Sequence, residues 1–94
     1  MSARQFASVW DAIEKTPAEA AAMKARSDLM MAIRKIVDDW DSTQAAAAKR
    51  LGITQPRLND LLRGKIDKFS LDGLMSIATR AGLSVRIRVT RSAA

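Results

Sequence analysis

The sequence predicts an all-α protein, a bundle of about four to five helices that ends in a single β-strand. Apolar residues recur at helical spacing over most of the chain. Residues 43–64 contain two short helix candidates separated by a turn, and only residues 83–90 change to the alternation that is typical of a strand. With 94 residues, the chain is expected to be one domain (1–94), near the small end of chains that bury a useful core.

The N-terminal arm, residues 1–15, has two interpretations. It is either a short amphipathic segment or an extended arm that folds onto a partner. Its apolar residues at helical spacing are Phe6, Val9, Trp10 and Ile13. We favour the packing of Phe6 and Trp10 on this protein's own core or on that of its twin.

A long helix is predicted over residues 17–40. Thr16 is placed as its N-cap, a proline occupies the first helical position, and Glu19 completes a capping box. The apolar stripe of this helix consists of Met23, Leu29 or Met30, Ile33, Ile36, Val37 and Trp40. Ser42 or Thr43 is expected to cap the next helix.

Residues 43–64, TQAAAAKRLGITQPRLNDLLRG, predict two short helices joined by a tight turn. The first covers about residues 44–51, and Gly52 ends it because glycine readily adopts the left-handed conformation that closes a helix. Thr54 caps the second helix. Gly64 is the natural end of that second helix.

The two short helices bury one stripe each and leave a polar face outward. The inward residues are Ala47, Ala48 and Leu51 in the first helix and Leu58, Leu61 and Leu62 in the second. The outward residues of the second helix are Gln55, Pro56, Arg57, Asn59, Asp60 and Arg63. This is the pattern of a helix-turn-helix, whose second helix lies in the DNA major groove.

The chain after this motif continues with a basic loop at 65–68 and one more helix, which Ser70 caps and Gly82 ends. The alternating residues 83–90 then predict a strand, for which the sequence offers no second strand as a partner. The simplest completion is the same strand of a second copy, antiparallel across a two-fold axis. The alternative is strand addition by a different protein. The dimerisation candidates are Val85, Ile87 and Val89.

Composition and charge narrow the function classes. The chain has no Cys and no His, which removes thiol chemistry, most zinc sites and the usual general base. We therefore expect no enzyme, no metal and no cofactor. No apolar run approaches the ~20 residues that span a membrane, and no signal peptide is apparent, so a cytoplasmic protein is expected.

The positive charge lies in the second half of the chain. Residues 1–48 hold six Lys/Arg and seven Asp/Glu, a net charge of −1, whereas residues 49–94 hold ten Lys/Arg and three Asp, a net charge of +7. An acidic partner such as the DNA backbone is the natural inference.

The motif resembles a known family. The pattern T-Q-x-x-x-A-x-x-L-G-I-T-Q-P-R-L-x-x-L-L-R-G-K resembles lambda-repressor-like (Xre) helix-turn-helix domains, and the run FSLDGLMSIATRAGLSVRIRV is similar to HigA-like antitoxins and related small regulators. The resemblance covers about residues 6–89. It implies a DNA-binding repressor of its own operon, with a toxin as a further partner. It also implies that Gln44 contacts phosphate and that Gln55 contacts a base.

The candidate DNA-binding residues fall into two groups. The base-reading candidates are Gln55, Arg57, Asn59 and Asp60. The phosphate-binding candidates are Thr43, Gln44, Thr54, Arg63 and Lys65. Glutamine can bind adenine through two hydrogen bonds, whereas Arg57 can read guanine or bind phosphate. Asp60 can accept a hydrogen bond from cytosine or simply balance charge.

The expected mechanism is binding by a homodimer to a near-palindromic operator, with two recognition helices about 34 Å apart. A protein-interaction module and a stand-alone regulator without a toxin are the alternatives.

Overall fold

The computed structural model describes residues 16–91, and the regular secondary structure of this part of the chain is helical. It contains helices α1 (Pro17–Trp40), α2 (Gln44–Leu51), α3 (Gln55–Leu62) and α4 (Leu71–Arg80), with a short 3-10 helix, Ile66–Lys68, before α4. Helix α1 packs against α4, α3 and the 3-10 helix, while α2 packs against α3 and α4. The predicted N-terminal arm lies outside the described residues.

Each of the four α-helices begins at a hydroxyl N-cap. Thr16 Oγ1 accepts a hydrogen bond from the Glu19 N–H at 3.0 Å, and Ser70 Oγ accepts one from the Gly73 N–H at 3.0 Å. Thr43 and Thr54 cap α2 and α3 in the same way. These bonds satisfy backbone donors that have no partner inside the helix, and each such cap contributes about 1 kcal/mol. The predicted caps are confirmed.

The core is aliphatic apart from one phenylalanine. Every buried side chain among residues 16–91 is apolar. The buried residues are Met30, Ile33, Val37, Ala47, Ala48, Leu51, Leu58, Leu61, Phe69, Leu74, Ile77 and Ala78. Full burial of one such Leu or Ile side chain contributes roughly 1.5–3 kcal/mol, so this cluster is what holds α2 and α3 on α1.

Local details differ from the sequence prediction at two points. The basic loop at 65–68 contains the 3-10 helix, since the Lys68 N–H donates to the Lys65 carbonyl at 3.1 Å. Leu62, predicted to point inward, packs against the core but is only half-buried.

The strand predicted over residues 83–90 is not formed in the single chain, where residues 83–91 carry no regular secondary structure. A strand exists only through hydrogen bonds to a neighbouring strand, and residues 16–91 supply none. The alternation is nevertheless visible at its start, since Leu83 and Val85 are half-buried against the core while Ser84 and Arg86 are exposed. Among the described residues, no helix is both long and apolar enough to cross a membrane.

Candidate nucleic-acid interface

A tight backbone turn joins α2 to α3. Gly52 closes α2 with a φ of 72°, in the left-handed region that favours glycine. Its N–H donates to the Lys49 carbonyl at 3.1 Å, and the Ile53 N–H donates to the Ala48 carbonyl at 3.0 Å. Thr54 then has extended backbone angles and caps α3. These hydrogen bonds help to fix α3 relative to α2.

The first residue of α3 is the exposed Gln55. Among the other base-reading candidates, Arg57 is exposed, whereas Asn59 and Asp60 are half-buried. Leu58 and Leu61, which face the opposite way, are almost completely buried. The N-terminal turn of α3 is therefore the part of this helix that is most accessible to a DNA groove.

The Arg57 side chain is ordered by an aromatic ring. Its guanidinium carbon lies 4.5 Å from the centroid of the Phe69 ring. The same guanidinium lies beside Gly73. A Cβ built at Gly73 would be 3.7 Å from Arg57 Nη2. Arg57 thus leans from α3 toward the start of α4. Cation–π stacking leaves the N–H edges of the guanidinium available for a phosphate or a guanine.

Asp60 takes part in two ion pairs. Its carboxylate oxygens lie 3.4 Å from Lys65 Nζ and 3.6 Å from Lys68 Nζ. These contacts favour the charge-balancing alternative for Asp60 over the acceptance of a hydrogen bond from cytosine. They also place Lys65, a phosphate-binding candidate, beside a carboxylate in the free protein.

The remaining phosphate-binding candidates are exposed: Thr43, Gln44, Thr54 and Arg63. Thr43 Oγ1 accepts from the Ala46 N–H at 3.1 Å, and Thr54 Oγ1 accepts from the Arg57 N–H at 3.3 Å. A hydroxyl that accepts a hydrogen bond keeps its own O–H as a donor. Both caps are therefore chemically able to hold a helix end and to donate to a phosphate oxygen.

Two further arginine contacts have no counterpart in the sequence analysis. The Arg50 guanidinium carbon lies 4.0 Å from the centroid of the Trp40 ring. The Arg80 side chain lies against Gly52, where a built Cβ would be only 2.6 Å from Arg80 Nη1. Each contact joins residues that are far apart in the sequence and belong to different parts of the fold, so no helical spacing in the sequence could reveal them.

The dimerisation candidates differ in exposure. Val85 is half-buried against the core, whereas Ile87 and Val89 are 72% and 88% exposed. Ile87 and Val89 would lie on the same face if this segment were extended, because alternate residues of a strand share a face. The single chain therefore exposes two large apolar side chains in its C-terminal segment.

Comparison with known proteins assigns the family. A family model described as a helix-turn-helix domain matches residues 13–90, and the chain belongs to this family. A solved structure described as a putative XRE family transcriptional regulator is similar with a TM-score of 0.72 and 31% sequence identity, over 80% of this chain and 84% of that chain. No curated protein matches the chain. The helix-turn-helix and its resemblance to the Xre family are confirmed. Neither comparison shows that the chain belongs to the HigA-like subgroup.

Proposed function

We propose that this protein is a sequence-specific, double-stranded DNA-binding transcriptional regulator. The observation that carries the proposal is the arrangement of α3. Its N-terminal turn presents Gln55 to solvent, and its apolar face is locked onto the core by Leu58 and Leu61. A rigid helix with an exposed polar N-terminus is what reading base edges in the major groove requires.

The proposed contacts divide by chemistry. Gln55 reads a base, and Arg57 reads guanine or binds phosphate from its position over Phe69. The N-terminal end of α2, with Thr43 and Gln44, clamps the backbone, where free N–H groups and hydroxyls suit phosphate oxygens. The chain's net charge of +6 supports this binding through the release of counterions from DNA. As a DNA-binding regulator, the protein would act in the cytoplasm.

The proposed active form is a homodimer that is joined through residues 84–90. Exposed Ile87 and Val89 support it, because pairing with a second copy would bury them and would satisfy the backbone groups of the segment. A two-fold axis would present two copies of α3 to successive major grooves, about 34 Å apart.

An antitoxin role is the finer part of this proposal, and the resemblance of residues 69–89 to HigA-like antitoxins supports it. The protein would then repress its own operon and bind a small basic ribonuclease. Its test is expression of the neighbouring gene with and without this protein. Growth arrest that this protein relieves would support the role, and the absence of any toxic neighbour would leave a stand-alone regulator.

The experiment for the DNA-binding function is a titration of the purified protein against the DNA upstream of its own gene. A random duplex is titrated in parallel, at two salt concentrations. We expect tight binding to the upstream DNA alone, with protected regions spaced by one helical turn. Weak binding to both duplexes that disappears with salt would mean that the protein attracts DNA only through its net charge, without reading sequence. That result would favour a protein-interaction module.

A further inference from the structure

Phe69 lies outside the helix-turn-helix, between the 3-10 helix and α4. Its side chain belongs to the buried core, with only 3% of the residue exposed. The centroid of its ring nevertheless lies 4.5 Å from the guanidinium carbon of Arg57, which is exposed in the first turn of α3. One residue of the core therefore touches a side chain of the candidate nucleic-acid interface.

The Phe69 ring is fixed relative to α3. The Lys65 N–H donates to the carbonyl of Asp60 in α3 at 3.0 Å, and Lys65 Nζ lies 3.4 Å from the Asp60 carboxylate. The Phe69 N–H then donates to the Ile66 carbonyl at 3.2 Å. Because the ring is also packed in the core, it has little freedom to change its rotamer. It therefore offers the arginine a surface that does not move.

The contact with this ring orients the Arg57 guanidinium without using its hydrogen-bond donors. Cation–π attraction acts through the face of the guanidinium plane, whereas the N–H groups point out from its edge. Within residues 16–91, Arg57 makes no ion pair with a carboxylate. The edge of the guanidinium is therefore available to an anion.

The position of the guanidinium indicates which anion it can meet on DNA. Arg57 reaches from α3 to the side of Gly73 in α4. The major groove is about 12 Å wide, and a helix with its side chains is about 10–12 Å across. If α3 fills the groove, α4 stays outside it. A group that is held between the two helices then meets the wall of the groove, where the backbone phosphates lie.

We propose that Phe69 is a positioning residue that holds Arg57 for a backbone phosphate at the edge of the major groove. The inference rests on the DNA-binding function proposed above, and it selects phosphate over guanine for Arg57. Phe69 itself touches no DNA. Its effect is to restrict the rotamers of Arg57 before binding, which improves affinity by roughly two- to tenfold for one long side chain.

The stack can be tested in the free protein, without DNA. Protons that lie over the face of an aromatic ring resonate upfield of their usual NMR positions. We expect this shift for the side-chain protons of Arg57 in the wild-type protein. Phe69→Leu keeps an apolar side chain in the core but removes the ring, so the Arg57 signals should return to ordinary values. Phe69→Tyr keeps the aromatic face and should keep the shift.

A double-mutant cycle tests the consequence for DNA binding. Phe69→Leu, Arg57→Ala and the double variant are titrated against the operator and against a random duplex. Phe69→Leu should weaken binding to both duplexes by roughly two- to tenfold, and it should have no further effect in the Arg57→Ala background. Phe69→Tyr should bind as the wild-type protein does. A loss caused only by altered core packing would persist after Arg57 is removed.

Arg63 provides the matched control for the cycle. It is an exposed phosphate-binding candidate at the end of α3, and the arginines stacked on Trp40 and Phe69 are Arg50 and Arg57 instead. The full effect of Phe69→Leu should therefore remain in an Arg63→Ala background.

Three outcomes would overturn the proposal. The first is an Arg57 side chain without a ring-current shift in the free wild-type protein. The second is an effect of Phe69→Leu that is as large in the Arg57→Ala background as in the wild type. The third is a loss confined to the operator, which would assign Arg57 to a base. A wild-type protein that does not prefer the operator would overturn the proposed regulator instead, because the coupling of Phe69 with Arg57 is still measured on the random duplex.

Discussion

Arginine side chains stacked on aromatic rings lie at two places around the helix-turn-helix. Arg50 lies over Trp40 and Arg57 over Phe69. Trp40 and Phe69 are the two aromatic residues within residues 16–91. A guanidinium that is already held in one orientation loses less rotamer freedom when it binds a phosphate or a base. The stacking would therefore lower the entropic cost of the contacts with DNA that we propose.

The first residue-scale prediction concerns base reading. Gln55→Ala and Arg57→Ala are each expected to weaken binding to the cognate operator by roughly 1–3 kcal/mol, because the first would remove a proposed contact to a base edge and the second a proposed contact to guanine or phosphate. Both residues are exposed, so thermal unfolding should change little. The measurement is a fluorescence titration against the operator and a random duplex.

Gln44→Ala is the matched control for these variants, since the proposed phosphate contact of Gln44 predicts equal losses on both duplexes. An equal loss on both duplexes for Gln55→Ala would remove its base-reading role. For Arg57→Ala, an equal loss on both duplexes would show that Arg57 binds phosphate and does not read guanine.

The second residue-scale prediction concerns Asp60. Asp60→Asn is expected to raise the affinity for random DNA and to steepen its salt dependence, because Lys65 and Lys68 lose the carboxylate that lies 3.4 and 3.6 Å away. Titrations at several salt concentrations measure the slope.

Asp67→Asn provides the control for this effect. It removes the same charge from the exposed 3-10 helix, yet Asp67 makes no ion pair within residues 16–91. A smaller effect is expected. If Asp67→Asn raised the affinity as much as Asp60→Asn, the ion pairs would have no specific role.

At the scale of elements, the sequence is most informative about where each helix begins and ends. Caps such as Thr16 and Ser70 act on residues three positions away, so short-range chemistry is enough to locate each helix. The stacking of Arg50 on Trp40 depends instead on how two helices pack, which no local pattern encodes. The C-terminal strand remains a prediction for another reason, since its hydrogen-bond partner would belong to a second chain.

The prediction at the scale of elements concerns the glycines that follow α2 and α3. Gly52 and Gly64 both have a φ of 72°, and a Cβ in this region costs about 1–2 kcal/mol. Gly52→Ala and Gly64→Ala are therefore expected to lower the free energy of unfolding by similar amounts, as urea denaturation can measure.

The two glycines differ in their surroundings. A Cβ at Gly64 meets nothing within 4 Å, whereas one at Gly52 meets the end of the Arg80 side chain. Because a guanidinium on a flexible chain can move aside, the extra cost at Gly52 should be small and should vanish in an Arg80→Ala background. A much larger loss for Gly52→Ala would mean that Arg80 is held firmly against the turn.

At the scale of the whole molecule, the proposed dimer would connect the folded chain to an operator. One copy of α3 reads only a few base pairs, and its affinity competes with the general attraction of a basic protein for any DNA. Two copies on the proposed two-fold axis would read two half-sites together, and the second contact would benefit from the high effective concentration that the first provides.

Ile87→Asp is expected to convert the proposed dimer into a monomer, because it puts a charge into the apolar face that two copies would bury. Thr90→Asp is the control, since Thr90 lies on the opposite face of an alternating segment and adds the same charge. Light scattering after gel filtration measures the mass, and footprinting on the operator measures the spacing of protected regions.

Ile87→Asp should lose the dimer mass and the coupled occupation of half-sites, while the helical circular dichroism persists. A dimer that survives Ile87→Asp would move the interface away from residues 84–90, and a monomeric wild-type protein with tight operator binding would show that one copy of α3 is sufficient.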